Sequence, residues 1–207
     1  SHDGGAAEGY ASASHIRQLL RQGGGGEALA FLPPGAAEVL LRELAAGRIA
    51  DGALVERAIL ARLRQMTEEK FAAYDGGGEG LYHRVYDAVR RCATVEELLA
   101  AVKTKRYTAA RLRRMVLSAW LGLSKAPETV PYARVLAANE TGRALLRQMR
   151  KAGAPVLTKA ADVAALGSGA EALFRREAGY TDLYTLAYTD LAQAVPGSDW
   201  RLTPMMK

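Results

Sequence analysis

The segment AVKTKRYTAARLRRM, residues 101–115, carries six cations (Lys103, Lys105, Arg106, Arg111, Arg113 and Arg114) and no acidic residue. Side chains of this kind at that density attract a polyanion, and a guanidinium fork can hold two phosphate oxygens at once. Thr104, Tyr107 and Thr108 are interleaved with the cations. Their hydroxyls can bond phosphate, and the Tyr107 ring can stack on a base. The bland alternative is a solvated face on which Lys103 and Lys105 complement a helix C-terminus. Two features favour RNA or another polyphosphate: the interleaving, and the convergence of the charges on a junction between two helices. Elsewhere the sequence shows no carboxylate pair and no nucleophile–base set. Cys92 is the single cysteine, and His2, His15 and His83 lack ligand spacing, so neither a disulfide framework nor a metal site is expected.

The elements that must position these cations are readable on either side. Thr94-Val95-Glu96-Glu97 is a capping box, opening a helix expected to run to about Lys105. The next helix begins near Thr108. Its residues Leu112, Met115, Val116, Ala119, Trp120 and Leu123 recur at helical spacing and predict a buried stripe. Arg111, Arg114 and Ser118 share another face, with Arg113 flanking it. Upstream, three more stripes are expected: Val39 or Leu40 with Leu44; Leu54, Ala58, Ile59, Leu63 and Met66; and Leu81, Val85, Ala88, Val89 and Cys92. Between the last two, Thr67 can cap a short helix carrying Phe71, before Gly76-Gly77-Gly78 interrupts.

The pattern changes after Pro127. YARVLAA (132–138) reads as a buried strand, 141–152 as a helix ending at Gly153, and PVLT (155–158) as a second strand. Residues 170–193 read as a helix with Tyr180, Tyr184 and Tyr188 at i, i+4, i+8, a spacing more typical of packing than of base stacking. Asn139, Thr141 and Gly142 sit where strand meets helix; anion binding and plain capping explain them equally well. The predicted fold class is mainly α, a helical bundle followed by a small βαβ-like α/β unit. Segment boundaries are expected at 35, within the Gly23–Gly26 and Pro33-Pro34-Gly35 breaks, and at 126.

Composition sets wide bounds. The 207 residues are 49% apolar and 24% charged, the profile of an ordinary globular protein. The 28 Lys and Arg exceed the 22 Asp and Glu to give +6, weak evidence by itself for an anionic partner. No run resembles a signal peptide or a membrane span, so a cytoplasmic setting is expected.

At the start, SASHIR (12–17) opens a short helix in which Ser14 is a plausible N-cap and Gly23 a stop. SASHIR, EGL (79–81), EELLAAVKTKRYTAARLRRM (96–115) and YARVLAANETGRALL (132–146) occur in that order. Together they resemble the second half of the bacterial tRNA(Met) cytidine acetate ligase family, whose members are also described as nucleotidyltransferases. The resemblance implies activation of acetate by ATP as acetyl-adenylate, then acetylation of N4 of the wobble cytidine in elongator methionine tRNA. It makes Ser12, Ser14 and Arg17 nucleotide contacts, with Ala13 where another small polar residue is frequent. It makes Lys103, Lys105, Arg106, Tyr107, Arg111, Arg113 and Arg114 tRNA contacts. Such enzymes carry an H-x-G-H ATP motif, which does not occur in these residues. The expectation is therefore a fragment, inactive alone: residues 1–35 as the tail of the nucleotidyltransferase domain and a linker, 36–126 as a tRNA-binding region, 127–207 as a small α/β region. Two other readings stay open, a nucleotidyltransferase acting on a small molecule and a helical RNA-binding module without chemistry.

Overall fold

The computed structural model describes residues 10–74, 80–123 and 129–207. The Gly76-Gly77-Gly78 interruption and the boundary before Pro127 lie outside them. The chain divides into two compact units, Ser1–Ile49 and Ala50–Lys207. The second holds residues 50–126 together with the whole of 127–207.

Among its described residues the first unit has three helices: α1 (Ala13–Arg21), α2 (Gly25–Leu29) and α3 (Pro34–Ala45). The N-cap of α1 is Ser12, not Ser14: the Ser12 hydroxyl accepts from the His15 amide at 3.2 Å. Starting at Ser12 lengthens a short helix by two residues at little cost, because Ala13 is a strong helix former. Helix α3 starts on Pro34, whose missing amide proton costs nothing there.

The second unit opens with five helices around one core: α4 (Gly52–Arg64), α5 (Glu68–Ala72), α6 (Leu81–Val89), α7 (Val95–Val102) and α8 (Ala109–Leu121). Leu63, Phe71, Leu81, Val89, Leu98 and Leu112 are its best-buried side chains. In α4 the core stripe is Val55, Ile59 and Leu63, and the expected Leu54 stands 54% exposed. Stepping back one helical turn from Ile59 reaches Val55, one residue beyond Leu54. The stripe of α8 is as predicted, with Leu112, Met115, Val116 and Ala119 buried and Trp120 half-buried. Gly122, in the left-handed conformation at φ 70°, ends the helix, and the Leu123 amide donates to the Ser118 carbonyl at 2.8 Å.

The α/β region contains β1 (Ala133–Arg134), β2 (Ala137–Ala138), α9 (Glu140–Lys151), β3 (Val156–Leu157), a 3₁₀ segment Ala160–Leu166, α10 (Ser168–Thr185), α11 (Ser198–Arg201) and β4 (Met205–Met206). The expected single strand 132–138 is two short ones, because the chain changes partner midway. β1 pairs in parallel with β3, and β2 in parallel with β4 at the end of the chain. Nor is the stretch wholly buried, since Leu136 is 65% exposed. The expected helix 170–193 ends at Thr185, leaving Tyr188 to form an isolated antiparallel bridge with Ala50. A second core joins Tyr132, Leu157, Val163 and Phe174. The Tyr132 hydroxyl donates to Glu177 at 2.6 Å; burial, and then that carboxylate, push the phenol pKa up. Arg134 pairs with Asp199 at 2.7 Å, tying β1 to α11. No helix among the described residues is long and apolar enough to cross a membrane.

Candidate nucleic-acid interface

Helix α7 stops at Val102, three residues before the expected end, for a local reason. The Thr104 hydroxyl accepts from the Tyr107 amide at 3.0 Å, and the Thr104 amide donates to the Tyr107 carbonyl at 3.3 Å. This side-chain-to-backbone bond offers the chain a tight turn in competition with another helical turn. Thr108 then caps α8, accepting from the Arg111 amide at 3.4 Å. The cap on the other side is the predicted box. The Thr94 hydroxyl accepts from the Glu97 amide at 3.1 Å, while the Glu97 carboxylate accepts from the Ala93 amide at 2.8 Å. The 103–108 turn is therefore held at Thr104 and at Thr108, and α7 at its start.

Lys103, Lys105, Arg106, Arg113 and Arg114 are exposed, and Arg111 is half-buried. Tyr107 departs from expectation. Its side chain is 5% exposed and belongs to the helical core, so no ring face is offered to a base. It instead anchors the turn from below. The guanidinium carbons of Arg111 and Arg106 lie 5.4 and 5.8 Å from its ring centroid, within cation–π range. Lys103 sits at the negative end of the α7 dipole, as a solvated face would have it. Arg111 instead lies in the first turn of α8, where a cation costs roughly 0.3–1 kcal/mol and an anion is favoured. No acidic residue occupies that turn.

In the first unit, Ser14 and Arg17 are exposed one turn apart on α1. The Ser12 oxygen is engaged as the cap, which leaves its own O–H to donate. His15 packs edge-on against Phe31 at 5.9 Å, which accounts for that histidine without chemistry. Asn139 is a capping residue, its side-chain oxygen accepting from the Gly142 amide at 2.8 Å. One signal was passed over in the sequence: Arg143, Arg147 and Arg150 recur at i, i+4, i+7 along α9.

The sequence model of a family described as HIGH Nucleotidyl Transferase matches residues 1–197. The chain belongs to that family. Among curated relatives, the tRNA(Met) cytidine acetate ligase of Thermoanaerobacter sp. (strain X514) is 34% identical over 134 residues, covering 62% of this chain and 32% of the relative. The Syntrophomonas wolfei protein of the same name is 26% identical over 210 residues, covering 95% and 50%. This chain therefore spans half or less of the length of those relatives. The crystal structure of apo Thermotoga maritima TmcAL superposes with a TM-score of 0.89 at 24% identity, covering 100% of this chain and 53% of that one. The same enzyme bound with alpha-thio ATP gives 0.85 at 24%, over 95% and 52%. Helical bundle and small α/β region are thus a shared fold.

Proposed function

We propose that this chain is the part of an ATP-dependent tRNA(Met) cytidine acetate ligase that binds the tRNA, with the turn between α7 and α8 as the contact. The observation that carries the reading is the 103–108 turn together with the start of α8. Within it the Thr104 hydroxyl accepts from the Tyr107 amide, Thr108 caps the helix that follows, Tyr107 anchors the backbone in the core, and exposed cations stand before and within the first turns of α8. Lys103, Lys105, Arg106, Arg113 and Arg114 are proposed to meet backbone phosphates, with Arg111 held against the Tyr107 ring. Tyr107 positions them and does not stack. The names of the relatives support acetylation of methionine tRNA.

ATP, the substrate that such an activity needs, suits the exposed pair Ser14 and Arg17 on α1, with the Ser12 O–H as a third donor to a phosphate. These residues would bind and orient phosphate; the H-x-G-H motif that would complete an ATP site is not among the 207 residues. The chain by itself is accordingly expected not to acetylate tRNA when given ATP and acetate. Arg17→Ala, made in an active ligase containing this chain, should weaken ATP use by about 1.5–3 kcal/mol, the worth of a hydrogen bond to a charged group, and spare tRNA affinity.

The deciding experiment is mass spectrometry of methionine tRNA from cells lacking the gene that encodes this chain. Loss of N4-acetylcytidine at the wobble position is expected, and unchanged acetylation would overturn the assignment. The family description itself favours one rival, a nucleotidyltransferase acting on a small molecule. That rival predicts intact N4-acetylcytidine together with pyrophosphate release from ATP on a non-RNA acceptor.

A further inference from the structure

A second concentration of cations lies in the α/β region. Arg143, Arg147 and Arg150 on α9 and Lys159 beyond β3 line a cavity of about 380 Å³, together with Thr158 and Thr203. No Asp or Glu lines it, and all four cations are exposed. Three separate stretches of chain converge there: α9, the end of β3, and the residues leading into β4. The parallel pairing of β4 with β2 carries Thr203 to the rim.

The cations are not neutralised by their surroundings. Among the described residues, Arg147 and Lys159 make no ion pair, and Arg143 has only Glu140 at 3.7 Å, a carboxylate side chain that is 90% exposed. A pair so exposed is worth little. Arg150 is positioned: its Nη2 donates to the Thr158 hydroxyl at 2.7 Å, which fixes the guanidinium at the cavity wall. Like charges one turn apart on a helix repel by a few tenths of a kcal/mol, and here the repulsion is not relieved by a neighbouring carboxylate. A bound anion would relieve it.

The shape of the patch narrows the anion. From Arg143 to Arg150 the stripe rises about 10.5 Å along the helix at about 1.5 Å per residue. One phosphate is satisfied by a single guanidinium fork, so a stripe this long matches successive phosphates. Leu146 and Met206 add apolar wall against which sugar edges can rest. We infer that this cavity binds the phosphodiester backbone of RNA, giving the second unit a contact additional to the α7–α8 turn. The inference rests on the RNA partner proposed above.

The test is binding of the full chain to a methionine tRNA transcript across a salt series, for the wild type, for Arg147→Gln with Lys159→Gln, and for Lys105→Ala with Arg106→Ala. The cavity pair should weaken binding about five- to tenfold and flatten the slope of log affinity against log salt by about 1.4, at about 0.7 per phosphate contact. Its thermal unfolding should match the wild type. If the pair unfolds the chain, Lys159→Gln alone is measured, with half that change of slope expected. Wild-type affinity and slope in the cavity variant, with weakened binding in the turn variant, would overturn the cavity and leave the turn standing. A wild-type chain that does not bind tRNA would overturn both. Titration with inorganic pyrophosphate separates the remaining source: a cavity variant that loses pyrophosphate binding but keeps RNA affinity would make this a small-phosphate site and overturn the RNA assignment.

Discussion

The α7–α8 turn and helix α9 are both rich in cations, yet they are built in opposite ways. In the turn the charges lie close together in sequence and stand on a core residue. Tyr107 is buried beneath them, Thr104 and Thr108 fix the backbone, and the α8 stripe holds the helix that follows. Helix α9 buries no residue fully. Its cations are spread over two turns and become a patch only when Lys159 and Thr203 arrive from elsewhere. The first patch is positioned by what lies under it, the second by what converges around it.

The largest effect that would break this contrast is on Tyr107. If its ring is the footing of the turn, Tyr107→Ala should destabilise the second unit by about 3–5 kcal/mol, the usual cost of truncating a buried aromatic side chain. Urea unfolding measures it. A variant of wild-type stability with weakened RNA binding would restore the ring to a stacking role and remove it from the core.

Next is the pair Lys105→Ala and Arg106→Ala, which removes charge and leaves the footing intact. RNA affinity should drop about tenfold at moderate salt and the salt slope should flatten by roughly 1.4, with no change in unfolding midpoint. Unaltered affinity and slope would reduce the turn to a solvated face.

The same contrast explains what could be read in the sequence. The turn was legible because its determinants are local: a capping box at Thr94, a second cap at Thr108, and a stripe from Leu112 at helical spacing. The direction of the Tyr107 ring was not legible, because composition places an aromatic among cations without saying which way it points; in the structure it lies in the core beneath the Thr104 turn. Ser12 displaced Ser14 because two serines two residues apart both satisfy a capping rule. Leu54 and Val55 are adjacent, so periodicity alone did not choose between them. The α9 cavity was illegible for a different reason. Its stripe is visible at i, i+4, i+7, but β4 is the dipeptide Met205–Met206, which carries no strand signal and pairs with β2 from more than sixty residues away.

A smaller effect tests how the turn is held from the α7 side. Thr94→Ala removes the acceptor for the Glu97 amide and should cost about 1 kcal/mol. Because Lys103 lies at the far end of α7, RNA affinity should change little. A loss of affinity as large as that of the Lys105, Arg106 pair would mean that the helix start, and not Tyr107, sets the position of the cations.

The smallest effect concerns a cation that is paired, in the first unit. Arg48 donates to Glu43 through Nε at 2.6 Å and Nη2 at 3.2 Å, and Arg42 donates to the same carboxylate at 2.9 Å. The hydrogen bonds from Arg48, then Arg42, lower the Glu43 pKa to about 2. A carboxyl with a depressed folded pKa stabilises the fold fully above its unfolded value, near 4.5, and that contribution fades as pH falls from there towards 2. Both arginines are substantially exposed, so solvent screening should keep the contribution below about 1 kcal/mol. Glu43→Gln should therefore lower stability slightly at pH 7 and approach the wild type only as the pH falls through and below about 2. Arg48→Ala should leave the RNA salt slope untouched, since a guanidinium already neutralised by a carboxylate releases no counterion on binding. If Arg48→Ala flattened the slope as much as replacement of an exposed cation in the turn, pairing would not be what separates structural cations from RNA-binding ones, and the cavity on α9 would lose its strongest physical support.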